Sequence, residues 1–237
     1  GKGYRLRQAL DLLDLQVIQQ ALDQAGRADC FNIQVVEQVG STNTELAAQA
    51  RTGCQSGTVM LAEQQTAGRG RGERQWVTPF ASQLALSLIW RYNEVPHGLA
   101  GLSLAIGVAV VESLSALGFE GVQLKWPNDI YHDGLKLGGI LVEVQGEPTG
   151  PCTLIIGIGI NVDMQGRQSD TDTIDRPWTD CRSQMTTTIS RNQLCARLLI
   201  ELEDVLLTFQ ERGFGAFVSQ WHDLDYLAGH PVTVALS

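Results

Sequence analysis

The stretch from Leu99 to Val111 holds no charged side chain and is almost uniformly apolar around a helical wheel. A helix apolar on all sides has to be surrounded by other elements. This one is too short, and too rich in glycine and serine, to span a bilayer, which takes about 20 apolar residues. The chain must therefore wrap it in a core of its own. At 237 residues it would expose about 37,000 Å² unfolded and about 10,500 Å² folded, enough burial for one main globular domain.

Patterned segments lie on both sides of that helix. An amphipathic helix starts near Asp14, its N-cap, with Val17, Ile18, Ala21 and Leu22 on one face. Ile33 to Val39 is strand-like, and Thr42 with Glu45 forms a capping box that opens a helix through Ala50. Val59 to Gln65 reads as a strand that runs into the glycine- and arginine-rich Gly68 to Arg74, and Leu84, Leu86, Leu88 and Trp90 alternate as in a half-buried strand. Val122 to Trp126 is a strand, Asp133-Gly134 marks a hairpin turn, and Lys136 to Val144 and Thr153 to Val162 are further strands. Asp163 to Asp180 is polar and without period, hence a loop, while Gln193 to Gln210 repeats apolar residues at helical spacing. Pro231 to Leu236 alternates as an isolated strand, which needs partners to be stable. It is expected to open a further small β domain.

Seventeen Lys and Arg against 26 Asp and Glu leave a net charge of −9. That argues against a bulk surface for nucleic acid or anionic lipid, so any anion site must be local. The five cysteines, Cys30, Cys54, Cys152, Cys181 and Cys195, include no C-x-x-C, and the four histidines no i, i+4 pair. Neither a disulfide framework nor a metal site is expected, and a reducing cytoplasm is the expected location. No secretory signal pattern or membrane span is read.

Two motifs carry chemistry. In Gly68-Arg69-Gly70-Arg71-Gly72-Glu73-Arg74, glycines let backbone N–H groups approach an oxyanion and arginines supply forked donors. On composition alone the same segment also reads as a solvated basic loop. It is neither a P-loop nor a dinucleotide fingerprint. In Lys125-Trp126-Pro127-Asn128-Asp129 a lysine at a strand end meets a rigid turn, where its ammonium either stabilises charge on an acyl phosphate or snorkels from a sheet edge. Trp76 is either a stacking wall or core, and the glycines of Gly138-Gly139 and Gly157-Ile158-Gly159 either mark bulges or let a flat ligand lie against the backbone.

The ordered set Ser41-Thr42-Asn43, Gln65-Thr66-x-Gly68-Arg69-Gly70-Arg71, Trp76, Lys125-Trp126-Pro127-Asn128-Asp129, Lys136-Leu137-x-Gly139-Ile140-Leu141 and Gly157-x-Gly159-x-Asn161 closely resembles the biotin protein ligases. The likeness covers nearly the whole chain and is greatest to the bifunctional bacterial type that also represses a biotin operon. It implies an α/β (α+β) fold, a mixed and largely antiparallel sheet with helices, akin to the catalytic domain of class II aminoacyl-tRNA synthetases. It divides the chain into residues 1–14, the tail of a winged helix-turn-helix domain, residues 15–228, the catalytic domain, and residues 229–237, the start of a small β-barrel.

The activity so implied uses biotin and magnesium ATP to form biotinyl-5′-AMP, then passes biotin to one lysine of a biotin carboxyl carrier protein. By resemblance, Ser41, Thr42, Asn43, Gln65, Arg69, Gly70, Arg71, Trp76 and Lys125 bind biotin. Arg71, Asn128, Lys136 and Asn161 lie at the adenylate, and Lys125, Arg69 and Arg71 stabilise the developing charge. No protein metal site is expected. Two chains are expected to pair with the adenylate bound, through Gly139 to Val144 as a sheet edge, and DNA is contacted only through the N-terminal domain that this sequence lacks. Gly72 and Glu73 depart from the family's longer basic run. Lipoate or octanoyl transfer is the rival activity on this fold.

Overall fold

The computed structural model describes residues 10–95, 97–146, 151–165, 171–185 and 189–233. Seven strands form one sheet: β1 (Asn32–Val39), β2 (Thr58–Gln65), β3 (Gln83–Tyr92), β4 (Val122–Lys125), β5 (Asp129–His132), β6 (Leu135–Gly146) and β7 (Cys152–Asn161). Their spatial order is β1-β2-β3-β7-β6-β5-β4. Only β1 and β2 run parallel, and α2 (Thr42–Arg51) makes the crossover that a parallel pair needs. All other neighbours are antiparallel, the mixed and largely antiparallel sheet that the resemblance implied.

Two layers of unequal thickness cover this sheet. On one face α1 (Leu15–Gln24), α3 (Leu102–Ser115) and α5 (Arg191–Arg212) pack onto Leu84, Leu86 and Leu88 of β3 and Leu154, Ile156, Ile158 and Ile160 of β7. α3 is the central element of that core, as its lack of charge requires. On the other face α2 packs alone over a small cluster of Leu46, Ala50, Met60, Ile89 and Ile155. The period of two therefore sends Ala85 and Ser87 of β3, and Gly157, Gly159 and Asn161 of β7, to the thinly covered face. Glycines there remove side chains and leave a hollow beside α2.

Several expectations shift. The N-cap of α2 is Ser41, whose Oγ accepts from the Thr44 N–H at 3.4 Å. Thr42, expected to cap, is buried with its hydroxyl 3.1 Å from Gln65 Oε1. β5, too short to show a period, was not anticipated from the sequence as a strand. The strand expected to be an edge, β6, lies between β5 and β7, and the edges are β1 and β4. Of the stretch read as a loop, residues 171–180 are tied to β6, with Lys136 N–H donating to Pro177 O at 3.2 Å and Thr179 N–H to Lys136 O at 2.9 Å. They lead into α4 (Cys181–Gln184), capped by the buried Asp180. A last helix, α6 (Val218–Leu224), follows α5. Lys2, Arg5 and Arg7, and residues 234–237 of the expected C-terminal strand, lie outside the described residues, and Pro231 to Thr233 form no strand. Among the described residues no helix is long and apolar enough to cross a membrane.

All five cysteines are free. Burial pushes the Cys181 thiol up to about 12 and raises those of Cys152 and Cys195 as well, so all three stay protonated well above neutral pH. Since the thiolate is the nucleophile, iodoacetamide at pH 7.5 should modify half-buried Cys54 at least about a hundredfold faster than these three, read by peptide mass mapping. Equal labelling would show that the core opens readily.

Candidate active site

The hollow beside α2 is a cavity of 390 Å³. Its walls come from the start of α2, the end of β2, the segment 69–77, the glycine faces of β6 and β7, and residues 173–178. Arg69, Arg71, Arg74, Lys136 and Arg176 line it against only two carboxylates, Asp129 and Asp175. In a chain of net charge −9 this is a local concentration of cations, the kind of place to which the charge balance confines any anion site.

The glycine- and arginine-rich segment is a tight hairpin. Arg69 bridges Gln75, the Gly70 N–H donates to Arg74 O at 2.7 Å, and the Trp76 N–H donates to Gly68 O at 2.9 Å. Gly72, which interrupts the basic run, sits at its tip with φ +66°, a left-handed conformation that favours glycine. The glycine at 72 thus has a backbone reason. Arg69 reaches across the cavity mouth and pairs with Glu143 of β6, its Nη2 2.9 Å from Oε1 and its Nη1 3.2 Å from Oε2.

The polar end of the cavity is a chain of side-chain amides and hydroxyls. Gln65 Oε1 accepts from the Thr42 N–H at 2.9 Å, and its Nε2 donates to Thr78 Oγ1 at 3.2 Å. Ser87 Oγ lies 2.7 Å from Thr42 Oγ1 and 2.6 Å from Asn43 Oδ1. Asn43 fits because residue 157 is glycine, where a Cβ would stand 2.3 Å from its Oδ1.

Trp76 stands on Gly159, whose missing Cβ would lie 2.6 Å from the indole Cε2. Its Nε1 donates to Gln83 Oε1 at 3.0 Å, and Gln83 Nε2 donates in turn to Asn161 Oδ1 at 2.8 Å. Trp76 is therefore a fixed wall of the cavity and not part of the apolar core. Asn161 also donates to Thr179 O at 2.9 Å, and Asn128 donates to Ile140 O at 2.8 Å, so both hold the adjoining segments together as well as lining the cavity.

Ser41, Thr42, Asn43, Gln65, Arg69, Gly70, Arg71, Trp76, Asn128, Lys136 and Asn161 all line this one cavity. Lys125 does not. It belongs to β4, the outermost strand, and its ammonium lies 4.8 Å from the Tyr131 ring centroid, 5.4 Å from that of Tyr226 and 3.4 Å from the Tyr131 hydroxyl. Lys136, two strands closer to the cavity, donates to Asp129 Oδ1 at 2.6 Å and sits 5.6 Å from the centroid of Trp76. Of the two lysines, the one that lines the cavity is thus Lys136, while Lys125, expected there with Arg69 and Arg71, lies at the sheet edge.

Sequence reasoning missed Gln83, Ser87, Asp129, Arg176 and Trp178 among the lining residues. Gln83 and Ser87 are polar positions on the cavity face of β3, and the alternation of that strand was their only signal. Arg176 and Trp178 sit in a segment with no period, whose single hint was one tryptophan in a polar run. Among the described residues no group of three His, Cys, Asp or Glu is placed to hold a metal ion.

Comparison with known proteins agrees with this geometry. The model of the biotin/lipoate A/B protein ligase family matches residues 35–161. The bifunctional ligase/repressor BirA of Salmonella typhimurium is 38% identical over 237 residues, all of this chain and 71% of that one. The biotin–[acetyl-CoA-carboxylase] ligase of Mycobacterium tuberculosis is 40% identical over 176 residues, 72% of this chain and 62% of that one. Among solved structures, the biotin protein ligase from Aquifex aeolicus in complex with biotin and ATP superposes with a TM-score of 0.67 at 27% identity, covering 82% of this chain and 78% of that one. A matched region that takes in most of the sheet and the whole cavity hairpin, together with a relative 38% identical over the whole of this chain, means that the chain belongs to the biotin/lipoate A/B protein ligase family.

Proposed function

We propose that this chain is an ATP-dependent biotin protein ligase, and the observation that carries the reading is a single cavity that brings an aromatic wall and bared strand backbone together with a cluster of cations. Trp76, the amides of Asn43 and Gln65, and strand backbone bared at Gly157 and Gly159 suit a flat, mostly apolar bicyclic ring with a polar edge. Lys136, 5.6 Å from the Trp76 ring centroid, with Arg71 and Arg176, suits the phosphates, and Trp178 offers a flat surface for a base. The biotin carboxylate oxygen attacks the α-phosphorus of ATP, the bond to the β-phosphate breaks, and pyrophosphate leaves. The carboxylate gives up its charge to the new bond while negative charge grows on the α-phosphoryl oxygens and the leaving pyrophosphate, and fixed donors aimed at that charge supply the largest catalytic contribution. Lys136, steered by Asp129, and Arg71 are those donors here, while Arg69 holds the ligand's carboxylate in place.

The ε-amine of a carrier lysine then attacks the acyl carbon, AMP departs, and the amine proton goes to solvent. Magnesium enters as the ATP complex. The acceptor is a biotin carboxyl carrier domain, and the free thiols accord with a reducing cytoplasm.

The test is mass spectrometry of a carrier domain incubated with the chain, biotin and magnesium ATP. Biotinylation of one lysine is expected, and none with lipoate or octanoate in place of biotin. Modification by lipoate alone would move the chain to the other branch of its family.

Gly159→Ala probes the Trp76 wall. Its Cβ has no room beside the Trp76 indole, so the ring must tilt into the cavity. The biotin Kd should rise about tenfold by calorimetry, and an unchanged Kd would show that the ligand does not lie against Trp76.

A further inference from the structure

We infer that Glu143 is a positioning residue for this site, one carboxylate that orients two ligand-facing side chains from two different segments. The inference rests on the biotin ligase reading and deepens it. Glu143 follows Gly139 and Leu141 on the cavity face of β6. Both of its oxygens accept from the Arg69 fork, and Oε2 also accepts from Asn43 Nδ2 at 3.0 Å. The hairpin and the start of α2, 26 positions apart at these two residues, are thereby tied to one point on a rigid strand.

Each contact settles an orientation. An arginine has several rotatable bonds and five N–H donors in a fixed fork. Pairing with Glu143 uses two donors, fixes the guanidinium plane and leaves three to meet an incoming carboxylate. For Asn43, Glu143 on one side and Ser87 on the other decide which amide end is donor and which acceptor. Without Glu143 the only other acceptor shown for Nδ2 is Leu141 O, at 3.5 Å.

The pair holds little of the fold together. The side chains of Arg69 and Glu143 are 47% and 30% exposed, and ion pairs this open to water contribute little to stability. Its use is orientation: the carboxylate neutralises Arg69 beside the anion site while holding it still, so that less side-chain freedom is lost when ligand binds.

Glu143→Gln keeps an acceptor for Asn43 and removes the charge that holds Arg69. The biotin KM and the Kd of a non-hydrolysable biotinyl-adenylate analogue should each rise about tenfold, while kcat for adenylate formation, set at Lys136, changes less than about threefold. The urea midpoint should stay that of the parent. In an Arg69→Met background the same substitution should have no further effect on either binding constant, since the two side chains act as one unit.

Wild-type KM and Kd, tighter binding, a fall in kcat as large as the rise in KM, or full additivity with Arg69→Met would each overturn the role. So would a lowered urea midpoint, which would make Glu143 structural. A parent chain that makes no biotinyl-adenylate would instead sink the biotin ligase reading, so the two failures are distinguishable.

Discussion

Lys136→Met is expected to slow formation of biotinyl-5′-AMP by about a hundredfold or more at saturating biotin and ATP, while Lys125→Met stays within about twofold of the parent. The two lysines lie 11 positions apart and both belong to strands of one hairpin system. Only Lys136 lines the cavity, where Asp129 steers its ammonium beside Trp76. Methionine keeps much of the aliphatic stem, so the fold should survive and the loss should fall on charge stabilisation in the transition state. Biotin affinity should change less than the rate. Single-turnover adenylate formation, with transfer from pre-made adenylate measured alongside, separates the steps. A slow Lys125→Met with a normal Lys136→Met would return the reacting centre to the sheet edge. Asp129→Asn should give a smaller loss of rate, because it frees the ammonium without removing it.

Glu63→Ala should cost about 3–5 kcal/mol of stability, the usual penalty for stranding one member of a buried ion pair. Arg191, at the start of α5, is 1% exposed and pairs with Glu63 of β2, itself 7% exposed. Its remaining donors go to Gln83 O at 2.9 Å and Asp11 O at 2.8 Å, while Glu63 Oε1 accepts from the Leu13 N–H at 2.6 Å. One pair thus stitches the segment 11–13, two strands and a helix. At roughly 2–4 °C per kcal/mol for a chain of this size, the melting temperature should fall by about 6–20 °C. Replacing both partners with apolar residues of similar volume should recover much of the loss, since no charge is then left unpaired. Scanning calorimetry checks both variants, and an unchanged melting point for Glu63→Ala would show that water reaches Arg191. The same pair touches Gln83, so Glu63→Ala should also weaken the seat of Trp76.

Much of the cavity was legible beforehand because its residues arrive in short blocks of special composition. Serine, threonine and asparagine at a helix start, alternating glycine on a strand and arginine between glycines each have a local physical meaning. The capping position was misplaced by one residue, since Ser41 and Thr42 are both competent caps and only the burial of Thr42 against Gln65 separates them. The wall from Thr173 to Trp178 had no period to read, because its order comes from backbone bonds to Lys136 and not from its own side-chain pattern.

The sequence by itself determined most of the long helices and strands, though not β5, α4 or α6, that a charge-free helix sits at the centre of the core, and which strands carry glycine on one face. These are properties of neighbours within a few residues, set by side-chain period and backbone freedom. Tertiary structure alone decided the sheet order, which puts β6 inside and β4 at the edge and so brings Lys136, not Lys125, to the cavity. It also decided that Glu143 meets Arg69 from 74 positions away and that Arg191 meets Glu63 from 128 positions away. Strand pairing between distant segments is a competition among registers across the whole chain, and no local period records which one wins.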